Sequence, residues 1–152
     1  VILMPSGAKL FENADFDYDY RHSILKAMSH KRYLVLLATF CLTKDDPVAI
    51  KARMDANIAK RKQTQPPGAS LGSIFKNPPN DYAGRLIEAT GLKGYRIGNA
   101  MVSPIHANFF INEGGDATAS DYYALICHVQ HAVYDAHGVM LDMEIELVGE
   151  WE

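Results

Sequence analysis

The stretch GYRIGNAMVSPIHANFFIN, residues 94–112, decides the fold. It holds three short strand-like runs, near 94–97, 100–103 and 109–112, with only a few residues between them. Parallel neighbours need a crossover of a dozen or more residues, usually a helix, so links this short join antiparallel strands. Upstream, Asn80 or Asp81 is placed to cap a short helix over 82–90, and Gly91 suits its left-handed C-terminal position. Downstream, Thr118 with Asp121 three residues on forms a capping box. The helix it opens sets Tyr122, Leu125, Ile126, Val129, Val133 and Ala136 on one face, and Gly138 ends it. The closing run LDMEIELVG alternates. Leu141, Met143, Ile145 and Leu147 point one way and Asp142, Glu144 and Glu146 the other, which predicts a strand.

Towards the N-terminus, Asp46-Pro47 opens a second long helix, Asp as its cap and Pro at its first position. It runs to about Gln63 with Ile50, Met54 and Ile58 on one face, and Gln65-Pro66-Pro67-Gly68 ends it. Lys60, Arg61 and Lys62 complement the dipole of its last turn, or alternatively meet a phosphate. YLVLLATFCL, residues 33–42, reads as a strand. Residues 21–26 read as a helical turn. Phe16, Tyr18 and Tyr20 alternate with Asp15, Asp17 and Asp19, which predicts a strand or extended edge. A hairpin is expected with residues 1–4 and 9–11 flanking Pro5-Ser6-Gly7. The sum is an α+β fold: a mostly antiparallel sheet packed with two longer helices and one short helix.

With 152 residues, one domain and one core are the default. A net charge of -3 and a pI near 6.1 argue against a nucleic-acid partner. No apolar run reaches the roughly 18 residues a membrane span needs, and VILMPSG lacks the form of a signal peptide. A cytoplasmic protein is expected, and a start at Val-Ile-Leu reads as a piece of something longer. Cys41 and Cys127 sit in apolar runs and read as buried free thiols.

The usual catalytic motifs fail. Gly91, Gly94 and Gly98 have the wrong spacing for a dinucleotide fingerprint, and no P-loop is present. His128 and His131 share a helix face without a third ligand, so no metal site is expected. Ser73 lacks the G-x-S-x-G frame of a hydrolase. What stays unexplained is GSIFKNP, residues 72–78: a turn needs Gly or Pro, not Ser-Ile-Phe-Lys-Asn between them. Taken singly, Ser73 is a turn serine and Glu144 a solvated strand residue.

Five segments together resemble the C-terminal part of the UDP-N-acetylenolpyruvoylglucosamine reductase (UDP-N-acetylmuramate dehydrogenase) family. They are YRHSILK from Tyr20, RKQTQP from Arg61, GSIFKNP from Gly72, AGRLIEATGLKGYRIGNAMVSPIHANFFIN from Ala83, and LDMEIELVGEW from Leu141. They run in order over nearly the whole chain. The resemblance implies a reductase of peptidoglycan biosynthesis in which NADPH reduces bound FAD. The flavin then passes a hydride to the enolpyruvyl ether of UDP-N-acetylglucosamine, giving UDP-N-acetylmuramate. It implies Ser73 as proton donor and Glu144 as the acidic residue near the substrate carboxylate, where a second carboxyl group should raise its pKa. Asn77 is implied at the nucleotide diphosphate and His106 at the substrate; Lys76 is a phosphate partner by charge.

The family's flavin-binding region, with its Gly-rich pyrophosphate loop and a catalytic arginine, lies N-terminal to this segment. Residues 1–20 are therefore expected to be the tail of that region or a connecting hairpin, and 21–152 the substrate-binding domain. No FAD is expected to bind tightly to the chain alone, and the N-terminal FAD domain is its expected partner. Asn99 stands where Gly is usual and Leu25 where Phe is usual. The short link from Phe40 to Asp46 matches the subtype without an extra tyrosine-bearing loop. The competing reading is a stand-alone UDP-sugar-binding module without redox activity.

Overall fold

The structure is a computed structural model, and it describes residues 1–28 and 32–149. Glu150 and Trp151, the end of the LDMEIELVGEW block, lie outside them. The chain forms two compact units, Val1–Asp46 and Pro47–Glu152. The expected α+β class holds, with antiparallel pairing throughout, in two sheets rather than one.

The first unit opens with the expected hairpin, β1 (Ile2–Met4) against β2 (Gly7–Lys9). Gly7 takes φ +109°, which only glycine adopts without strain. The acidic-aromatic stretch is not a strand. Residues Asn13–Phe16 form a 3-10 helix, because the Asp15 carboxylate accepts from the Glu12 N–H at 2.7 Å and closes the turn. Phe16 and Tyr18 stack at 5.0 Å just after it. The helical turn is α1 (Ile24–Ala27), capped by the Ser23 hydroxyl, with Leu25 buried.

The expected strand over 33–42 shrinks to β3 (Leu34–Val35), paired with β1. Leu36 and Leu37 still bond to the Val1 carbonyl, but past them the backbone joins no ladder among the described residues. Phe40 and Leu42 are 78% and 85% exposed. Strand composition describes a half-buried surface, and here nothing within the unit covers it. Cys41 is accordingly exposed rather than buried, and Cys127 half-buried; both are free.

The second unit begins with α2 (Pro47–Thr64), bounded as its caps predict. None of its residues is buried, and the Ile50-Met54-Ile58 face remains exposed. The chain then enters a four-stranded antiparallel sheet in the order β4-β7-β6-β5. Its strands are β4 (Ala69–Ser73), β5 (Arg96–Ile97), β6 (Ala100–Val102) and β7 (Phe109–Asn112). Between β4 and β5 lies α3 (Ala83–Ala89), and α4 (Ala119–His137) follows β7.

The core lies between one sheet face and α3 and α4. Ile74, Leu86, Ile87, Val102, Phe110, Leu125, Ile126, Val129 and Val133 are all at most 2% exposed. Each such side chain contributes about 1.5–3 kcal/mol on burial. Phe75 meets Phe110 edge-on at 6.1 Å. On α4, Leu125, Ile126, Val129 and Val133 are buried as expected, while Ala136 is exposed. The capping box is present: Thr118 Oγ1 accepts from Asp121 N–H, and Asp121 Oδ2 accepts from Thr118 N–H at 2.9 Å. Those bonds hold the Asp121 carboxyl below its usual pKa. Gly98 packs against that carboxylate so closely that a Cβ would stand 2.2 Å from Oδ1. Asn99 has an ordinary negative φ, so nothing here requires glycine, and its amide donates to the Asp116 carbonyl. His128 stacks flat on the Tyr95 ring at 4.4 Å.

Candidate functional site

The site is built on an irregularity in β4. Ser70 pairs with Ile111 and Ser73 with Phe109, so three steps on β4 face two on β7. One extra residue is absorbed there as a bulge, with Gly72 at φ +77°. No heavy atom lies within 4 Å of where its Cβ would stand, so backbone conformation alone requires the glycine. The predicted turn is thus the end of a strand. Ser-Leu-Gly-Ser carries little strand propensity, which is why sequence reading missed it.

Ser73 re-enters the ladder half-buried, opposite Phe109. Beyond it, the Ile74 N–H donates to the Asn108 carbonyl at 2.9 Å. The Asn108 side chain, 4% exposed, accepts from Phe75 N–H at 2.9 Å and donates to the Phe75 carbonyl at 2.8 Å. On the other edge, Glu144 N–H donates to the Ile74 carbonyl and Lys76 N–H to the Asp142 carbonyl, both at 2.8 Å. The predicted strand over 141–149 therefore reduces to one bridge, Phe75 with Met143. Its alternation survives in part: Leu141 is buried, Met143, Ile145 and Leu147 half-buried, Asp142 and Glu146 exposed.

Of the five predicted residues, Ser73 and Lys76 lie on this segment and Glu144 on the backbone bonded to it. Asn77 and His106 meet at the first turn of α3. Asn77 Oδ1 accepts from the Ala83 N–H at 3.1 Å and so holds the helix start, the role expected of Asn80 or Asp81. Asp81 instead accepts from Tyr82 N–H and pairs with Arg85, which holds its carboxyl at about 2. The His106 ring packs on Phe109 at 4.8 Å, and its Cε1 lies 3.3 Å from where a Gly84 Cβ would stand.

Two residues that sequence reading passed over shape the site. Ser103 is fully buried, and its hydroxyl accepts from Ile105 N–H at 3.1 Å and His106 N–H at 3.3 Å, fixing the turn that carries His106. The Ser-Pro pair at 103–104 is a readable turn signal. Asn108 leaves no such signal, because an asparagine inside HANFF gives no hint of its partner.

The model of the family "UDP-N-acetylenolpyruvoylglucosamine reductase, C-terminal domain" matches residues 60–148. The chain belongs to this family. The matched span contains the bulge, Ser73, Asn108 and Glu144. The reductase of Chloroflexus aurantiacus is 49% identical over 136 residues, covering 88% of this chain and 46% of that protein. The reductase of Moorella thermoacetica is 46% identical over 142 residues, 93% of this chain and 45% of that protein. Among solved structures, UDP-N-acetylenolpyruvylglucosamine reductase (MurB) from Thermus caldophilus superposes with a TM-score of 0.81 at 33% identity. That likeness covers 95% of this chain and 50% of the solved one. The chain thus spans about half the length of the reductases it matches. No helix among the described residues is long and apolar enough to cross a membrane.

Proposed function

We propose that this chain is the substrate-binding part of a UDP-N-acetylenolpyruvoylglucosamine reductase, an oxidoreductase of peptidoglycan synthesis acting in the cytoplasm. Its ligand is UDP-N-acetylglucosamine enolpyruvate. Its partner is an N-terminal FAD-binding domain reduced by NADPH. The compact unit Val1–Asp46 precedes the matched residues 60–148, which favours a domain boundary nearer Asp46 than residue 20.

The two clefts described in the second unit, about 560 and about 360 Å³, offer no cationic side chain to a flavin's pyrophosphate. The flavin belongs to the N-terminal region in this reading, and no step on it is assigned to these residues. Alone, the chain carries no stoichiometric flavin and reduces nothing; a yellow preparation with a flavin absorption band contradicts this.

What the chain supplies is the proton. When a hydride adds to the terminal vinyl carbon, negative charge develops on the neighbouring carbon, conjugated with the substrate carboxylate. Ser73 Oγ–H donates a proton to that carbon. A hydroxyl is a weak acid, but the nascent carbanion is a strong base, so transfer runs downhill as charge forms. Half-exposure lets solvent restore the hydroxyl proton. Glu144 stands beside the substrate carboxylate in this reading and, when it carries a proton, donates a hydrogen bond to the developing charge. Asn77 and Lys76 meet the diphosphate and His106 the substrate. Asn77 Oδ1 also accepts from the Ala83 N–H, which holds the side chain at the start of α3.

The observation that supports this reading is the Glu144 N–H to Ile74 carbonyl bond, which ties the backbone of Glu144 to the residue next to Ser73. Calorimetric titration of the chain with UDP-N-acetylglucosamine enolpyruvate tests it. At a hundredfold excess over Kd, stability rises by about 2.7 kcal/mol, which shifts Tm by roughly 5–11 °C. No heat and no shift up to millimolar ligand would sink the reading.

A further inference from the structure

We infer that Asn108 is a positioning residue whose carboxamide replaces a missing peptide group. It extends the β4–β7 ladder one residue beyond β7 and thereby sets the backbone of residues 73–76, while the backbone N–H of the same residue fixes the His106 ring. The inference rests on the functional reading above only for its consequence in binding.

β7 begins at Phe109, and the chain before it turns away through residues 103–108. The last backbone bond the ladder can make is Ile74 N–H to the Asn108 carbonyl. The next residue, Phe75, is 1% exposed and would have a buried N–H and carbonyl facing no strand on that side. Such groups must be paired. The Asn108 carboxamide presents a carbonyl and an N–H, as a peptide does, and takes both Phe75 groups, at 2.9 and 2.8 Å. Phe75 is thereby held on two edges: by Asn108 on one and by Met143 on the other. The Ile74 carbonyl is aimed at Glu144 only while that double pairing lasts.

The same residue acts on His106. The Asn108 backbone N–H donates to His106 Nδ1 at 3.3 Å. A nitrogen that accepts carries no proton, so the neutral ring carries its proton on Nε2. His106 therefore offers a donor at Nε2, suited to an oxygen acceptor on a sugar or carboxylate. Alanine at 108 leaves two buried backbone groups unpaired. Aspartate keeps one acceptor but sets a carboxylate oxygen against the Phe75 carbonyl. Glutamine keeps the chemistry and displaces it by one methylene.

The test uses the full 152-residue chain, first without ligand. Ring 15N shifts should report the Nε2–H tautomer for His106. In Asn108→Ala and Asn108→Gln, exchange of the Phe75 amide should rise at least a hundredfold while those of Phe110 and Val129 hold. The Ser73 and Glu144 amide signals should shift together. A merely stabilising role would lower Tm and speed all core amides alike, and that outcome overturns the proposal. So does an Nδ1–H tautomer, or unchanged Phe75 exchange in Asn108→Ala. Should Asn108→Ala fail to fold, the glutamine variant and the wild-type tautomer still decide. Kd for UDP-N-acetylglucosamine enolpyruvate should then weaken at least tenfold in Asn108→Gln. A wild-type chain that binds no ligand removes the functional reading, while the tautomer and exchange results judge Asn108 separately.

Discussion

The backbone N–H of Glu144 donates to the carbonyl of Ile74 at 2.8 Å, so the last acidic residue of the proposed site is registered on the residue next to Ser73. Nothing local joins them; the bond spans α3, three strands and α4. The proposed proton donor and its acidic neighbour therefore move as one piece of backbone.

Ser73→Ala separates the two halves of the reaction. In the whole reductase, NADPH should still reduce the flavin, while reoxidation by substrate slows by about 10²–10⁴-fold, the usual contribution of a positioned acid. Stopped-flow absorbance of the flavin reads both steps. The Tm of the chain should hardly move, because the hydroxyl is half-exposed. Near wild-type reoxidation would remove Ser73 from this role.

Asn77 has two jobs that substitution can separate. Asn77→Ala removes the acceptor for Ala83 N–H and should cost about 1 kcal/mol as well as affinity. Asn77→Asp keeps the acceptor and should keep the Tm, but it places a carboxylate against the diphosphate. Calorimetry should then show nucleotide affinity falling at least tenfold. Equal loss of stability in both variants would refute the helix-holding role.

Gly98→Ala should be among the most damaging small changes. The residue sits at φ +54°, and the added Cβ would fall 2.2 Å from Asp121 Oδ1. Either the α4 cap breaks or the β5–β6 turn moves. Together the strain and lost cap cost about 2 kcal/mol or more, a Tm drop of roughly 4–8 °C. Asn99→Gly next to it should change far less.

Acid should expose the Asp81–Arg85 pair. The Arg85 guanidinium lowers the Asp81 carboxyl from 3.8 to about 2. A depressed folded-state pKa stabilises above the unfolded value and loses that contribution as pH falls through the folded one. The pair's effect is thus complete above about pH 4 and fades between 3.8 and 2. Asp81→Asn should lower Tm slightly at pH 6 and not at all below pH 2. The effect is small because the pair is exposed to solvent. A variant equally destabilised at both ends of that range would count against the pair.

Helix ends were legible because they rest on local chemistry: Asp46-Pro47, Thr118 with Asp121, Gly91 and Gly138. The β5–β7 strands were legible from spacing. What failed depended on distant partners. Residues 33–42 have strand composition but lack cover within their unit. Residues 15–20 alternate, yet Asp15 closes a turn first. Residues 69–73 look like a loop and pair because β7 is beside them. At the site, Ser73 and Glu144 came from a family pattern; their shared backbone could not be read from either segment. Asn108 was invisible because its function depends on where β7 happens to end.

The bulge at Gly72 makes the spacing of the chain as consequential as its chemistry. Side chains on a strand alternate between faces, so a shift of one position exchanges them all. Deleting Leu71 would take out the extra residue, so Ser70 and Ser73 could keep Ile111 and Phe109 as partners but only on a regular strand, without the bend that aims the Ser73 hydroxyl. The aim of that hydroxyl thus rests on one residue that the ladder itself does not need.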